Sequence, residues 1–465
     1  RKMVGGGEIK IPTLVGDEKR YVNLDNAATT PALKVVYEKI DQFISYYGSV
    51  GRGASFKSRI STKSVKEARK SLKKFVNAGK DGRTLIFTQH STDSINKVAK
   101  SLTFKKEDVI VSTWMEHHAN MLPWRKISEE IGVNLVMADI DQQKGIPKIN
   151  DLLEKLDRHK NNLKLVAISG ASNVTGYLPP IRKIARATHR NGGYLLVDGA
   201  QLVPHKKVDM KDIDHPERID FLTFSGHKMY APFGSGVLIG PKEVFPREKP
   251  EKQGGGAVSF VGKDFTVWRD LPAREETGSP NVLGIVSMAA SAAFLSKLTM
   301  EQVSKDEDQL AAYAYERLSE VPGLELYGPE SPEDRLGIFT FNISDLHHNF
   351  ISSALSYDFA MATRSGCFCA HPYIMELLNI SREDINKVKE QVMRGDESNL
   401  AGAVRVSLGL YNEKEDIDLL VEALKKIIEK KDYYKNRYEF NNKTGDYKPK
   451  MEEPDYKKYF SLGVS

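Results

Sequence analysis

The chain has 465 residues, of which 40% are hydrophobic and 28% charged, a composition typical of a soluble globular protein with one large and one smaller core. Its 68 basic and 62 acidic residues nearly balance, so the net charge of +6 argues against a nucleic-acid-binding surface. The sequence contains no run of about 18 consecutive apolar residues and no apolar leader near its start, so we expect a cytoplasmic protein that does not enter a membrane. Small molecules are the expected partners.

Short apolar runs rich in β-branched residues recur in the first 240 residues. They predict seven strands, at residues 84–88, 109–112, 135–138, 165–169, 194–198, 221–225 and 236–240. Helical patterns alternate with these runs, for example at residues 65–76, 94–102 and 181–191. This alternation predicts an α/β fold with a large, mostly parallel seven-stranded sheet that is covered on both faces.

The pattern changes after residue 282. It predicts helices at 284–298 and 307–318, a strand at 338–343, a helix from about 349, a strand at 404–408 and a last helix with Asn412 as its N-cap. These elements form a small α+β domain. The predicted organisation is a large domain at 25–295, a small domain from 1–24 and 296–430, and a C-terminal extension at 431–465. The extension shows no period, and Phe460 and Leu462 are candidate anchors on the body or on a second subunit.

Asp198 ends one predicted strand and Lys228 lies three residues after another, and strand ends are where open α/β sheets place their ligand sites. A lysine amine can bind pyridoxal phosphate covalently. A carboxylate beside the pyridine nitrogen keeps that nitrogen protonated and makes the ring an electron sink. Taken alone, Lys228 could be a surface charge and Asp198 a helix cap, but the pair predicts a site for pyridoxal phosphate.

Further polar residues at strand ends complete such a site. Ser91 and Thr92 lie where a strand passes into a helix, so their hydroxyls and free backbone N–H groups can bind a phosphate, or simply cap the helix. Ser225 and His227 add donors beside Lys228. The neutral imidazole of His117 can stack on a pyridine ring, although a lone histidine is more often structural.

Six short segments occur in a fixed order between residues 20 and 430, at 23–28, 116–120, 172–176, 197–201, 225–228 and 364–372. Together they resemble the class V aminotransferase family, and within it the cysteine desulfurase and selenocysteine lyase branch. The resemblance implies fold type I of the enzymes that depend on pyridoxal phosphate. It also implies that Lys228 holds the cofactor.

The resemblance assigns roles to individual positions. It implies cofactor contacts at Ser91, Thr92, His117, Asn173, Asp198, Gln201, Ser225, His227, Lys228 and Ser279. Ser279 matches a residue that reaches the phosphate of the neighbouring subunit, which implies a homodimer. Arg405 matches the arginine that binds the substrate carboxylate, a role for which its planar guanidinium is suited, with Asn173 beside the substrate and Arg364 at the entrance.

Cys369 decides the expected reaction. A thiolate near cationic groups is a strong nucleophile, whereas a small buried cysteine would be inert. With Lys228 and His117 as the other catalytic residues, the resemblance implies a cysteine desulfurase. Such an enzyme converts L-cysteine, or L-selenocysteine, to L-alanine and passes sulfur through a persulfide on Cys369 to an unidentified acceptor protein. Alternatives are a selenocysteine lyase, a carbon–sulfur lyase, an aminotransferase, an epimerase or a non-catalytic sulfur-transfer partner.

The chain has one other cysteine, Cys367, two residues before Cys369. Two cysteines are too few for a structural zinc site unless His371 and another group join them, so no metal is expected. The pattern Arg-x-Gly-Cys-Phe-Cys is also similar to the molybdenum-cofactor sulfurases. Cys367 could therefore relay a persulfide, form an oxidised bond or have no role, although a disulfide between residues so close in sequence would be strained.

Overall fold

A computed structural model describes residues 1–51, 53–79, 81–245 and 250–463. In chain order, the strands are β1 (Lys10–Pro12), β2 (Glu18–Arg20), β3 (Val22–Asn23), β4 (Arg83–Thr88), β5 (Val109–Thr113), β6 (Asn134–Ala138), β7 (Ile140–Asp141), β8 (Ile146–Pro147), β9 (Leu163–Ser169), β10 (Tyr194–Asp198), β11 (Phe221–Ser225), β12 (Gly236–Pro241), β13 (Val258–Val261), β14 (Thr266–Trp268), β15 (Leu324–Tyr327), β16 (Ile338–Ile343), β17 (Met361–Ala362), β18 (Arg364–Gly366), β19 (Ala403–Ser407), β20 (Tyr438–Phe440) and β21 (Tyr447–Pro449). The α-helices are α1 (Lys34–Ile44), α2 (Phe56–Phe75), α3 (Ser91–Ser101), α4 (Leu122–Ile131), α5 (Ile149–Arg158), α6 (Ile181–Arg190), α7 (Val282–Leu298), α8 (Met300–Ser319), α9 (His348–Phe359), α10 (His371–Leu377), α11 (Arg382–Met393), α12 (Lys414–Glu429) and α13 (Lys431–Lys435).

The seven predicted strands form one sheet in the order β4-β12-β11-β10-β9-β5-β6. Strand β12 is antiparallel to both of its neighbours, and the other pairs are parallel. Helices on both faces bury the central strands, which is why these strands read as continuous apolar runs rather than as alternating ones. The expected large sheet is confirmed, and the carboxyl ends of β4, β5, β9, β10 and β11 lie along one edge.

A second, antiparallel sheet has the order β15-β16-β19-β18. Helices α8, α9 and α12 pack on it and enclose a separate core that includes Phe339, Phe341, Phe350 and Leu420. The predicted small α+β unit is therefore present, while the exact domain boundaries stay a prediction.

Among the described residues, no single helix is long and apolar enough to cross a membrane. Helices α7 and α8 meet that criterion only together, as a pair bent by 79°.

Several predicted helix starts are wrong. Helix α3 begins at Ser91 instead of residue 94, and helix α8 begins at Met300 instead of residue 307. Helix α2 begins at Phe56 instead of residue 65, because Ser55 caps it by accepting a hydrogen bond from the backbone N–H of Ser58. Helix α12 begins at Lys414 with Glu413 as its N-cap, in a reciprocal capping box with Asp416. The predicted cap Asn412 instead closes the preceding turn, where its Oδ1 accepts from the Gly409 N–H at 2.8 Å.

The C-terminal extension is more ordered than predicted. It contains α13 and the hairpin β20–β21, which packs on α9. The buried hydroxyl of Tyr438 donates to Asp358 at 2.6 Å, and Ser353 donates to the backbone oxygen of Tyr447 at 2.8 Å. Phe460 and Leu462 are 72% and 89% exposed, so they do not anchor the extension on this chain's own body.

Candidate active site

The carboxyl ends of the parallel strands open into a cavity of about 930 Å³. Nearly all of the predicted site residues line it, namely Ser91, Thr92, His117, Asn173, Asp198, Gln201, Ser225, His227, Lys228, Arg364, Cys369 and Arg405. Ser279 is exposed and does not line this cavity, so its predicted contact with a second subunit stays a prediction. The fold thus gathers residues from both halves of the chain at one edge of the sheet.

Lys228 ends the single helical turn that follows β11, where the backbone is fixed by a hydrogen bond from the Gly226 N–H to the oxygen of Ser235 (2.7 Å). Burial disfavours its charged form and lowers the pKa of the amine to about 8. Nearby Asp198 and Cys369 partly offset this effect, while Arg405 adds to it. The amine therefore has an uncharged, nucleophilic fraction at neutral pH.

Labelling of the apoprotein with an amine-selective acylating reagent is expected to report this pKa. Only the neutral amine reacts, so modification of Lys228 should rise with pH and reach half of its maximum near pH 8. Mass spectrometry of the labelled peptide gives the profile, with the exposed Lys39 on α1 as the control residue. A half-maximum near pH 10.5 would contradict the proposed effect of burial.

Asp198 ends β10 and is only 5% exposed. Its Oδ1 accepts from the backbone N–H of Ala200 at 3.1 Å, and it has no ion-pair partner within 4 Å in the part of the chain that the structure describes. Burial raises its pKa, and the charge of Lys228 acts in the opposite direction. A buried carboxyl of this kind fits a protonated pyridine nitrogen, since that cation would supply the missing partner.

The N-terminus of α3 has the properties of a phosphate site. The backbone N–H of Ser91 donates to Ser225 Oγ at 2.8 Å, and the two hydroxyl oxygens are 2.7 Å apart. His90 caps the helix by accepting from the Asp93 N–H at 3.1 Å. The N–H and hydroxyl of Thr92 have no hydrogen-bond partner among the described residues. Thr92 is therefore the principal free donor for an anion, with Ser91 and Ser225 holding the turn.

The imidazole of His117 is held in one orientation. Its Nδ1 accepts from the backbone N–H of Ala119 at 3.0 Å, so in the neutral ring the hydrogen lies on Nε2. Burial, with the charge of Lys228 as the next cause, lowers the pKa of His117 to about 3. The ring is therefore uncharged at neutral pH, as stacking on an electron-poor pyridinium requires. These features together fit a phosphorylated pyridine cofactor.

Two predicted amides are engaged within the protein. Gln201 Nε2 donates to the backbone oxygen of Ala27 at 2.7 Å, and Asn173 Nδ2 donates to that of Phe368 at 2.8 Å. Both residues still line the cavity. Asn173 therefore also fixes the loop that carries Cys369, a role that its motif did not indicate.

A single carboxylate holds both predicted substrate arginines. Asp25 accepts from Arg405 Nη2 at 3.0 Å and from Arg364 Nη2 at 2.8 Å. Arg405 also donates to the backbone oxygen of Asn173 at 2.9 Å, while its buried Nε has no hydrogen-bond partner within the described ranges. A role for Asp25 could not be predicted from the sequence, because its partners lie more than 300 residues away along the chain. The guanidinium groups are therefore pre-oriented at one wall of the cavity.

Cys369 lies in the cysteine loop, which we define as residues 366–370. The side chain of Cys369 is exposed in the cavity. Phe368 and Cys369 both have a φ of 55°, in the left-handed region, which costs an estimated 1–3 kcal/mol for each residue. Two contacts hold this conformation. Arg405 lies over the Phe368 ring at 4.9 Å, and the backbone oxygen of Cys369 accepts from the His118 N–H at 2.8 Å. Such locally held strain is common in functional loops.

Glu116 is a buried acid beneath the site that the sequence analysis missed. Its carboxylate accepts hydrogen bonds from Thr113 (2.8 Å), Asn120 (2.7 Å) and Ser169 (2.7 Å). Burial nevertheless raises the pKa of Glu116 to about 7. The three donors fix the loop that carries His117, and a charged residue inside a segment such as 116–120 is the signal that could have indicated a structural acid.

The substitution Glu116→Gln is expected to change the pH dependence of stability. Folded Glu116 keeps a proton between pH 4.5 and about pH 7 that the unfolded chain has lost. Stability should therefore fall as pH rises through this window, by an amount on the order of 3 kcal/mol, and the glutamine variant should lack this fall. Urea unfolding of both proteins from pH 5 to 8 measures the difference. Glu129→Gln, on an exposed position of α4, is the matched control. Parallel curves for wild type and Glu116→Gln would contradict the prediction.

The hairpin of the C-terminal extension reaches the rim of the cavity. Thr444 and Asp446, in the turn between β20 and β21, line it. Asn349 donates to the backbone oxygen of Gly445 at 2.9 Å, and the Glu397 N–H donates to that of Lys443 at 2.7 Å. The extension is therefore part of the site, which was not predicted from the sequence.

No group of three or more His, Cys, Asp or Glu side chains in the described residues is arranged to hold a metal ion.

Comparisons with known proteins place this geometry in a family. A model of the aminotransferase class-V family matches residues 22–420. A probable cysteine desulfurase from Halalkalibacterium halodurans is 36% identical over 409 residues, which cover 87% of this chain and 92% of the relative. A probable cysteine desulfurase from Staphylococcus aureus is 34% identical over 412 residues, which cover 88% and 92%.

Solved structures give the same result. The apo structure of a cysteine desulfurase from Thermococcus onnurineus matches with a TM-score of 0.77 and 28% identity, over 88% of this chain and 95% of that one. A cysteine desulfurase from Escherichia coli in an S-sulfonic acid form matches with a TM-score of 0.73 and 29% identity, over the same shares. The chain belongs to the class-V aminotransferase family and, within it, to the cysteine desulfurases.

Proposed function

We propose that the protein is a cysteine desulfurase that depends on pyridoxal phosphate. In this proposal it converts L-cysteine to L-alanine and receives the sulfur on Cys369 as a persulfide. The observation that carries the proposal is the placement of Cys369 on a held loop in the same cavity as Lys228 and Arg405, close enough for its charge to affect the pKa of both. An aminotransferase has no use for a thiol at this position.

The cofactor-binding residues follow from the donors described above. Thr92 would bind the phosphate, with Ser91, Ser225 and His227 beside it. Asp198 would face the ring nitrogen, His117 would stack on the ring, and Lys228 would attach it. When bound, pyridoxal phosphate supplies an electron sink for the substrate carbon that carries the amino group.

The residues of the chain carry out the remaining steps. Arg405, held by Asp25, binds the α-carboxylate of the substrate through two parallel N–H groups. Lys228, uncharged in part because its pKa is about 8, takes the proton from the substrate Cα. Neutral His117, whose Nδ1 accepts from the Ala119 N–H, lines the cavity and has an Nε2–H that can donate a hydrogen bond to the substrate.

Cys369 receives the sulfur. Its thiolate attacks the substrate sulfur, so an S–S bond forms while the bond between that sulfur and the substrate Cβ breaks. The electron pair stays on carbon, which takes a proton and becomes the methyl group of alanine. The carbon is reduced and the sulfur oxidised by the same two electrons, so the step needs no external oxidant.

We also propose that the enzyme is a homodimer in which Ser279 completes the phosphate site of the partner subunit. Ser279 is exposed and lies outside the active-site cavity of its own chain, which supports this arrangement. Light scattering of the purified protein measures the mass directly.

One experiment tests the function. The purified holoenzyme is incubated with L-cysteine, alanine is quantified, and the persulfide is located by mass spectrometry. We expect alanine together with added sulfur on Cys369. Pyruvate and free sulfide without alanine would identify a carbon–sulfur lyase, and 3-mercaptopyruvate, the keto acid that keeps the sulfur, would identify an aminotransferase. Parallel assays with L-selenocysteine establish which substrate is preferred.

A further inference from the structure

The second thiol of the chain has a specific partner. Cys367 is half-buried and lines the same cavity as Cys369. Its Sγ lies 3.0 Å from Nε2 of His371 and 3.4 Å from Nδ1 of the same ring. A thiol and an imidazole within hydrogen-bond reach form the pair that activates cysteine nucleophiles.

The hydrogen bonds around His371 determine which nitrogen faces the thiol as a base. The backbone N–H of His371 donates to Nε2 of His118 at 3.2 Å, so that nitrogen carries no hydrogen. Nδ1 of His371 lies 3.3 Å from the same atom and must be the donor of that contact. In a neutral ring, Nε2 of His371 is then bare and accepts the proton of Cys367.

His118 fixes the position of Cys367 and His371 relative to the cysteine loop. The rings of His118 and His371 are parallel within 4°, with centroids 5.1 Å apart. The backbone N–H of His118 also holds the oxygen of Cys369 at 2.8 Å. Burial lowers the pKa of both imidazoles and raises that of the Cys367 thiol, so the resting pair is uncharged. The base is therefore oriented by a third group, as in other thiol–imidazole sites.

We propose that Cys367 is a second sulfur-carrying nucleophile, with His371 as its base, and that it takes the outer sulfur of a persulfide formed on Cys369. The proposal rests on the proposed desulfurase function. The two thiols are near neighbours, since charge on Cys369 raises the pKa of Cys367. The transfer moves reactive sulfur from an exposed side chain to a half-buried one.

The step balances without a further reagent. Cys367 gives its proton to Nε2 of His371, and its thiolate attacks the outer sulfur of the protonated persulfide on Cys369. An S–S bond forms at Cys367 while the S–S bond at Cys369 breaks. The electron pair leaves with Cys369 Sγ, which takes the proton from His371 through solvent. Cys369 is again a thiol, so a second turnover can begin before any acceptor arrives.

Counting alanine tests the proposal. The holoenzyme is mixed with a few equivalents of L-cysteine, without acceptor or reductant, and quenched with an alkylating reagent. We expect a rapid burst of about two alanines for each wild-type chain and about one for Cys367→Ser, since a thiol is a far better sulfur nucleophile than a hydroxyl. Ser365→Ala is the matched control, because this residue directly precedes the cysteine loop and carries no thiol. It should keep the wild-type burst.

Fragment mass spectra locate the sulfur. Both thiols lie on the tryptic peptide of residues 365–382, so fragments that separate Cys367 from Cys369 must be read. We expect sulfur first on Cys369 and then on Cys367 in wild type, and on Cys369 alone in Cys367→Ser. In His371→Gln, which keeps a hydrogen-bonding side chain but no base, transfer to Cys367 should slow by at least about tenfold.

The outcomes separate the two proposals. If wild type forms alanine and a Cys369 persulfide but gives a burst of one, with no sulfur on Cys367, the relay is wrong and the desulfurase function stands. A Cys367–Cys369 disulfide with released sulfide, or sulfur on Cys367 in Cys369→Ser, also overturns the relay. If wild type forms no alanine at all, the proposed function is wrong and the relay with it.

Discussion

The substitution Cys369→Ser is expected to abolish the formation of alanine from L-cysteine, by roughly 10³-fold or more, because a serine hydroxyl cannot take up the substrate sulfur at neutral pH. Sulfur transfer needs a nucleophile that is both ionisable and polarisable, and Cys369 is the exposed thiol in the cavity. The measurement is a single-turnover assay in which alanine is quantified after quenching.

The control for this prediction concerns the cofactor. Cys369 is not one of the residues that fit the phosphate or the ring of the cofactor, so cofactor content should equal that of wild type. Ser365→Ala provides a variant in the same segment with an unchanged thiol. Alanine formation by Cys369→Ser at more than a tenth of the wild-type rate would show that another group accepts the sulfur.

The substitution Lys228→Ala should be as severe. In the proposed mechanism it removes both the amine that attaches the cofactor and the base that takes the Cα proton, and the loss of general-base catalysis alone costs about 10²–10⁴-fold. We expect alanine formation to fall by at least that factor. Borohydride reduction should fix the cofactor to Lys228 in wild type, visible as a mass shift on its peptide, and fix none in the variant.

Lys39→Ala, on the exposed face of α1, is the matched lysine control. Circular dichroism checks that the variants fold. Retention of substantial activity by Lys228→Ala would show that another group takes the Cα proton.

The large sheet was predictable because its central strands are buried on both faces. These strands are short apolar runs, and burial leaves no alternation that could be mistaken for another structure. Helix starts were less predictable. Helix α2 begins with a turn rich in Ser and Lys, and its start depends on the cap at Ser55 rather than on a hydrophobic stripe.

Site residues could be predicted where the type and position of a single residue indicate its chemistry. They could not be predicted where the role of a residue depends on a contact that forms only in the folded chain. Lys228, Asp198 and Cys369 are recognisable by type and by position at strand ends or in a loop. Asp25 acts only through Arg364 and Arg405, which the fold brings from the far end of the chain. The contact between Cys367 and His371 also depends on the backbone conformation of the cysteine loop, which could not be predicted from the sequence.

The C-terminal hairpin has a consequence for how the enzyme becomes functional during synthesis. A nascent chain emerges from its N-terminus onward, so the sheet, the lysine turn and the cysteine loop can all fold before residues 441–446 leave the ribosome. Until then the cavity lacks the part of its rim formed by Thr444 and Asp446. We expect the nascent protein to bind its cofactor before the rim of the cavity, through which the substrate enters, is complete.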